Sequence, residues 1–411
     1  MREDSKRCVL IFFLDAFRYD YLNHTDTPFI LESASEGIYG PLKTILGFDG
    51  IAATIFTGTY PEVHDIWTQY SFAPRGGPFD WIRPFSSILS TAERSLSNLR
   101  PMQKLLRLVV LELSLLSSGS THYPGTHRVP FRCLPNFEFS LKRKLYEPNA
   151  FGRIPTLFDI LSAHDVHFEV ADHDMVGGDD RVVRRALKIR GRPKAIYVLL
   201  MDLDEVSHTY GIYSEERKEA VRKTDAAVKT VVTHVENAGL DPVIVLFADH
   251  GMVSVAQTID VESAVRETGL KEGQEYVCFL DSTLARFWAE RRALTRIENV
   301  LRELGRGRVL RNRDLKWYHG PSTRRYGDIF YLADPGTIVL PNYYQGTDMV
   351  LAMHGYDPRI PDQDSLFMLS YEDIPAGKIN AVHLTDILPT TLDLFGIAKP
   401  SYCSGYSLLP K

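Results

Sequence analysis

Three stretches of the chain are apolar without alternation: Val9 to Leu14, Tyr197 to Leu200 and Val243 to Phe247. Unbroken runs of that length read as strands buried on both faces, as in a parallel sheet. Between and after them the spacing changes. Residues 156–161 and 214–239 have helical periodicity, and Val166-His167-Phe168-Glu169-Val170 reads as a strand. The segment from Thr385 to Gly396 is an amphipathic helix closed by a glycine. Helix alternating with strand predicts an α/β sandwich with a central, mostly parallel sheet flanked by helices.

Two stretches break this rhythm, and both are read as insertions into a single domain over residues 1–411. Residues 73–150 open on Pro74-Arg75-Gly76-Gly77-Pro78 and close in a loop around His122-Tyr123-Pro124-Gly125. Inside lies a helical run at 100–117 with Leu105, Leu106, Leu108 and Leu111, expected as a buried cap helix. Its polar face is too poor in lysine for a membrane-surface helix. Residues 261–350 form a second, α+β insertion, with a charged helix through 290–304 and a turn at Asp334-Pro335-Gly336.

Composition narrows the function classes. Of 411 residues, 44% are hydrophobic and 24% charged, as in an ordinary globular protein. A net charge of −5 gives no electrostatic case for a nucleic-acid polymer or an anionic membrane as partner. The polar start from Met1 to Arg7 is followed by an apolar run too short for a leader or a membrane span. Cys8, Cys133, Cys278 and Cys403 are scattered without CxxC spacing, which points to reduced thiols and a cytoplasmic chain. Oligomeric state is left open.

The candidate chemistry sits where the buried runs end. Asp15 follows the first, Asp204 and His208 the second, Asp249 and His250 the third, and His354 comes later. Ligands bind outside the carboxyl ends of strands in open α/β sheets. Carboxylates and imidazoles offer the mixed oxygen and nitrogen donors that zinc accepts, with manganese or magnesium as alternatives. Six such residues suffice for two divalent ions. Asp204 and His208, four apart, can face one ion from a single turn. Adjacent Asp249 and His250 need a non-helical turn, which Gly251 would ease.

These residues lie in fragments that resemble the alkaline phosphatase superfamily, nearest its nucleotide pyrophosphatase/phosphodiesterase branch. The fragments are Phe13-Leu14-Asp15, Thr57-Gly58-Thr59-Tyr60-Pro61-Glu62-Val63-His64, Asp204 to Gly211, Ala248-Asp249-His250-Gly251-Met252, and Met353-His354-Gly355-Tyr356-Asp357, in the family's order. The resemblance implies an alkaline-phosphatase-like fold and two metal sites, Asp204, His208 and His354 for one ion and Asp15, Asp249 and His250 for the other. Tyr356 and Asp357 would support His354 from behind.

One departure stands out. The family places a serine or threonine nucleophile at the N-terminus of the helix leading to the Thr-Gly-x-Tyr-Pro segment, where this chain has Phe48-Asp49. Asp49 is the reactive group there, although aspartate is also a good helix cap. It would attack phosphorus directly, or bridge the ions while water attacks. Thr44 and Thr54 are weaker candidates, because the Thr54 hydroxyl is expected to bond the preceding helical turn. Phe17, Tyr19, Trp67, Tyr70, Phe72 and Trp81 are expected to pack rather than stack on a base, and Arg18 is a candidate phosphate contact. His64 is balanced between ligand and structural roles, whereas His122, His127, His167 and His173 read as structural or substrate-facing. The expected function is a two-metal phosphoric ester hydrolase acting on a small phosphorylated, nucleotide-like substrate. The alternative is a metal-binding protein of the same fold that binds or transfers such a ligand without ordinary hydrolysis.

Overall fold

The computed structural model describes residues 6–96, 99–122, 128–152, 154–173, 177–372 and 374–409. The loop positions Tyr123 to His127, and most of the polar start, lie outside them. The three apolar runs become the strands Arg7–Leu14, Ala195–Leu200 and Asp241–Ala248 at the centre of an eight-stranded sheet. Arg7–Leu14 pairs in parallel with both of the others, and Phe168–Ala171 extends the parallel set at one edge. Ser365–Ser370 joins antiparallel between Asp241–Ala248 and Ile38–Lys43. The sheet is therefore mostly parallel, as its unbroken apolar strands require.

Alternate side chains of Arg7–Leu14 serve two separate cores. Val9, Ile11 and Phe13 pack with the helices Asp49–Thr57, Leu157–Ala163 and Ile387–Asp393. Cys8, Leu10, Phe12 and Leu14 pack on the other face with Pro28–Ser35, Asp179–Ala186 and Glu215–Asn237. Helix–sheet–helix layering follows directly from that alternation.

The two stretches that broke the rhythm share a third core. Phe79, Val110, Leu111, Leu115 and Phe139 from the first pack with Phe279, Trp288, Ile297 and Leu301 from the second. The second carries a four-stranded antiparallel sheet, Tyr276–Leu280, Leu284–Ala289, Ile329–Ala333 and Gly307–Arg311, backed by the helix Arg291–Glu303. The helix Arg100–Ser118 corrects the expectation of a buried cap helix. Val110, Leu111, Ser114 and Leu115 face inward, but Met102, Leu105, Val109, Leu113 and Leu116 are exposed, Leu116 at 80%. Its apolar residues occupy nearly the whole circumference, and only one stripe finds a core. Among the described residues, no helix is long and apolar enough to cross a membrane.

Candidate metal centre

Each buried strand delivers its acidic residue by a different local device. After Leu14, Ala16 adopts a left-handed backbone (φ 58°), and its N–H donates to Asp249 Oδ1 at 3.2 Å, so the ends of two strands are tied together. Asp204 and His208 lie one turn apart on the helix Asp202–Tyr210. Asp249 and His250 follow Asp241–Ala248, with His250 N–H donating to Asp249 Oδ1. Gly251 is required there by close approach, since a Cβ would lie 2.0 Å from the Asp362 carbonyl oxygen. Its role is thus clearance from a neighbouring backbone rather than relief of the turn's own sterics. His354 follows the short strand Ala352–Met353, which pairs antiparallel with Val253–Ser254.

These devices bring the residues into two adjoining clusters. The ligand atoms of Asp204, His250 and His354 all lie within 4.8 Å of one another, as do those of Asp15, Asp249 and His250. His250 belongs to both, where the sequence resemblance placed it with Asp15 and Asp249 alone. His208 reaches the first cluster through Asp204, its Nε2 3.2 Å from Oδ2. The His250 and His354 rings stack at 3.8 Å.

The donor set fits divalent cations on several counts. The Nδ1 of His208 faces the Ala352 carbonyl at 2.8 Å, and that of His250 faces the Gly251 carbonyl at 3.0 Å. A carbonyl only accepts, so both Nδ1 atoms carry the proton. Each ring then turns its Nε2 toward carboxylate oxygen, Asp204 for His208 and Asp15 and Asp249 for His250. A cation lying between Nε2 and carboxylate oxygen would take both as donors, and a backbone-anchored Nδ1–H is the usual support of a ligating imidazole. Asp15 Oδ1, Asp204 Oδ1 and His354 Nδ1 are buried without a hydrogen-bond partner. Burial, reinforced by the charges of Asp249 and Asp204, pushes Asp15 well above the carboxylate range. Burial would raise Asp204 too, but His208 beside it, by charge and hydrogen bond, holds it below that range. Burial drives His354 well down, so its ring is neutral and able to ligate.

At the expected nucleophile turn, Phe48 and Asp49 part company. The Phe48 ring stands edge-on to His354 at 5.7 Å and beside Tyr344 at 6.3 Å. It also fills the space where a Cβ on Gly355 (φ 82°) would come within 2.9 Å of it. Asp49 opens the helix Asp49–Thr57 but does not cap it. The Trp67 carbonyl takes the N–H of Phe48 and of Gly50 instead, at 2.9 and 3.0 Å. Asp49 lies in neither metal cluster. It lines a cavity of about 130 Å³ with His122, Lys144, Tyr146, Asp172 and Tyr197, and its Oδ2 is buried without a partner. Burial raises its pKa, partly opposed by His122.

Several other candidates are already engaged. Thr54 donates to the Gly50 carbonyl at 2.7 Å and bonds His64 Nε2, so both are structural. The Thr44 hydroxyl is buried and makes no hydrogen bond. Arg18 pairs with Asp20 and Asp362 rather than standing free for a phosphate. Asp357 is held by Arg308 and Arg359, which corrects the expectation that it backs His354. Phe17, Trp67 and Tyr70 are core residues, whereas Trp81 is 40% exposed. Asp202 pairs with His173 at 3.3 Å, beside Asp179, in a separate group at the same turn.

Comparison with known proteins follows the same lines. The family described as type I phosphodiesterase / nucleotide pyrophosphatase matches residues 9–357. Among curated proteins, no sequence matches this chain. The fold is similar to that of human ectonucleotide pyrophosphatase / phosphodiesterase 5, at 17% identity and a TM-score of 0.69, covering 95% of this chain and 96% of that one. The murine protein of the same name aligns at 15% identity and a TM-score of 0.67, with 96% of each chain covered. An inactive threonine-to-alanine form of the murine protein, in complex with AMP, aligns at 15% identity and a TM-score of 0.68 over 96% of each chain.

Proposed function

Because the chain belongs to the type I phosphodiesterase / nucleotide pyrophosphatase family, we propose that it is a divalent-metal-dependent hydrolase of phosphodiester or pyrophosphate bonds in small, nucleotide-like substrates. The observation that carries this reading is the pair of carboxylate–imidazole clusters sharing His250 at the carboxyl ends of the central strands. Asp204, His208 and His354 would hold one ion and Asp15, Asp249 and His250 the other, His250 standing at the seam. Zinc suits the three imidazoles best, with manganese or magnesium as alternatives. Bound there, the ions supply charge to offset that developing on the phosphoryl oxygens.

The chain's own residues do the rest. His208 and His250 are held in one tautomer by backbone carbonyls, so their positions are fixed before substrate arrives. Asp49 remains a candidate for attack on phosphorus, but water is the better candidate. What favours water is that Phe48, not a hydroxyl, faces His354, while the Asp49 carboxylate lines the side cavity. Residues 73–150 and 261–350 are assigned as the cover over the substrate. His122 and Lys144 of the first line that cavity, and Tyr344 of the second touches Phe48. The AMP held by the murine relative supports a nucleotide as the ligand class. Four free, buried cysteines suit a reducing, cytoplasmic compartment.

The same Phe48 observation favours a second reading, in which the metal-loaded chain retains or transfers a phosphorylated ligand without ordinary hydrolysis. Assays with bis-p-nitrophenyl phosphate and p-nitrophenyl phosphate separate the two. The hydrolase reading expects nitrophenol release from the diester in preference to the monoester. No release from either by protein shown to carry metal would leave the second reading standing.

A further inference from the structure

Outside the metal clusters, the most one-sided charge on the chain lies in residues 181–194. This stretch holds seven Lys and Arg residues and no Asp or Glu. The remainder of the chain then carries 40 Lys and Arg against 52 Asp and Glu, a formal charge of −12. Such a segregation of sign is an electrostatic footprint rather than an average surface.

The fold gathers the charge onto one side. Arg181, Arg184 and Arg185 recur at i, i+3 and i+4 on one face of the helix Asp179–Ala186, and Lys188 follows in the turn that ends it. Val182 and Ala186 of the helix Asp179–Ala186 point into the core. The basic face and Arg190 line a groove of about 670 Å³ along the edge strand Phe168–Ala171. Arg185 Nε donates to the Val170 carbonyl at 2.9 Å, which fixes its guanidinium against the strand. Arg184, Lys188 and Arg190 are exposed. Among the described residues, Glu169 is the one carboxylate lining the groove, and it faces His167 at 3.3 Å. The helix starts beside Asp202, whose N–H donates to Asp179, and returns toward Lys194 at the amino end of the next strand. The groove therefore leads away from the metal clusters.

We propose that this groove is a second binding site, for a small oligophosphate anion. Guanidinium forks match phosphate oxygens two at a time, and clustered cations repel one another until an anion is shared among them. The volume is that of a small-molecule site. Among the described residues, Ile189 is the only apolar side chain lining the groove, too little for a protein partner's apolar core. The site does not depend on the hydrolase reading.

Calorimetric titration of the full-length, zinc-loaded chain with imidotriphosphate, whose P–N–P links resist hydrolysis, tests the proposal. Two binding events are expected, one at the metals and one at the groove. The double variant Arg184→Glu, Lys188→Glu should weaken the second at least tenfold and leave the first. The neutral pair Arg184→Gln, Lys188→Gln gives the same reading if charge reversal lowers the thermal unfolding temperature. An imidotriphosphate nucleoside analogue binding as tightly as the bare anion assigns recognition to the phosphate chain; tighter binding adds the nucleoside to the ligand. Two unchanged events in both variants would overturn the site. So would affinity for single-stranded RNA that keeps rising with length beyond the groove, because it would mark a nucleic-acid surface instead.

Discussion

The Phe48 ring and the Asp49 carboxylate are neighbours in sequence, yet one turns toward His354 and the other into a side cavity with Asp172 and His122. A residue at the start of a helix and the one after it project about 100° apart, so only one can face the ions. Adjacent letters alone left open which it would be. The contact that decides it, between Phe48 and Gly355, joins positions more than 300 residues apart. Two outcomes follow for Asp49. Asp49→Asn should keep hydrolysis within about tenfold of wild type, with no phosphoenzyme detected by mass spectrometry. A trapped acyl phosphate in wild type, absent from the variant, would restore Asp49 as the attacking group. The second outcome is thermodynamic. Burial raises the Asp49 pKa above its unfolded value, so its stabilising contribution is present at low pH and is lost as pH rises through the folded value. Asp49→Asn should therefore stabilise the chain at neutral pH, by about 1–3 kcal/mol, because it removes a buried charge and keeps the side chain's shape. The gain should shrink near pH 4, as measured by denaturant unfolding at both pH values.

Elements were the most legible level. Unbroken apolar runs over 9–14, 197–200 and 243–247 became the three central strands, extended by one to two residues at their ends. The predicted helices at 214–239 and 290–304 became Glu215–Asn237 and Arg291–Glu303. Their acidic residues could be assigned to one edge because a parallel sheet puts every carboxyl end on the same side. The pairing of Ala352–Met353 with Val253–Ser254 left no such signal, being a two-residue ladder between distant segments. It nevertheless sets where His354 stands, and so does the turn around Gly251. A methyl group at Gly251 would meet the Asp362 carbonyl at 2.0 Å. Gly251→Ala should cost about 1–3 kcal/mol, as overpacking does, and should weaken metal binding because Asp249 and His250 move with the turn. Thermal unfolding with a zinc titration reads both effects.

At the scale of the whole molecule, the two stretches that broke the α/β rhythm were visible as changes of composition, but their shared core was not. Phe139 and Trp288 carry no mark that they belong to one cluster, since long-range packing leaves no local periodicity. The helix Arg100–Ser118 shows the same limit, because an apolar pattern cannot say which of its stripes will be covered. The metal clusters are the opposite case. Their ligands come from four separate segments, so bound ions should brace the sheet ends against one another. A ligand at a hundred times its dissociation constant stabilises by about 2.7 kcal/mol. For a chain of this size that is an unfolding shift of roughly 2–4 °C, which chelation should remove and zinc restore. The most direct test of the two-cluster account is turnover of bis-p-nitrophenyl phosphate by the zinc-loaded chain before chelation, after it, and with zinc returned. The account predicts release that disappears with the chelator, returns with zinc, and is absent in Asp204→Asn. Release that persists after complete metal removal would contradict it.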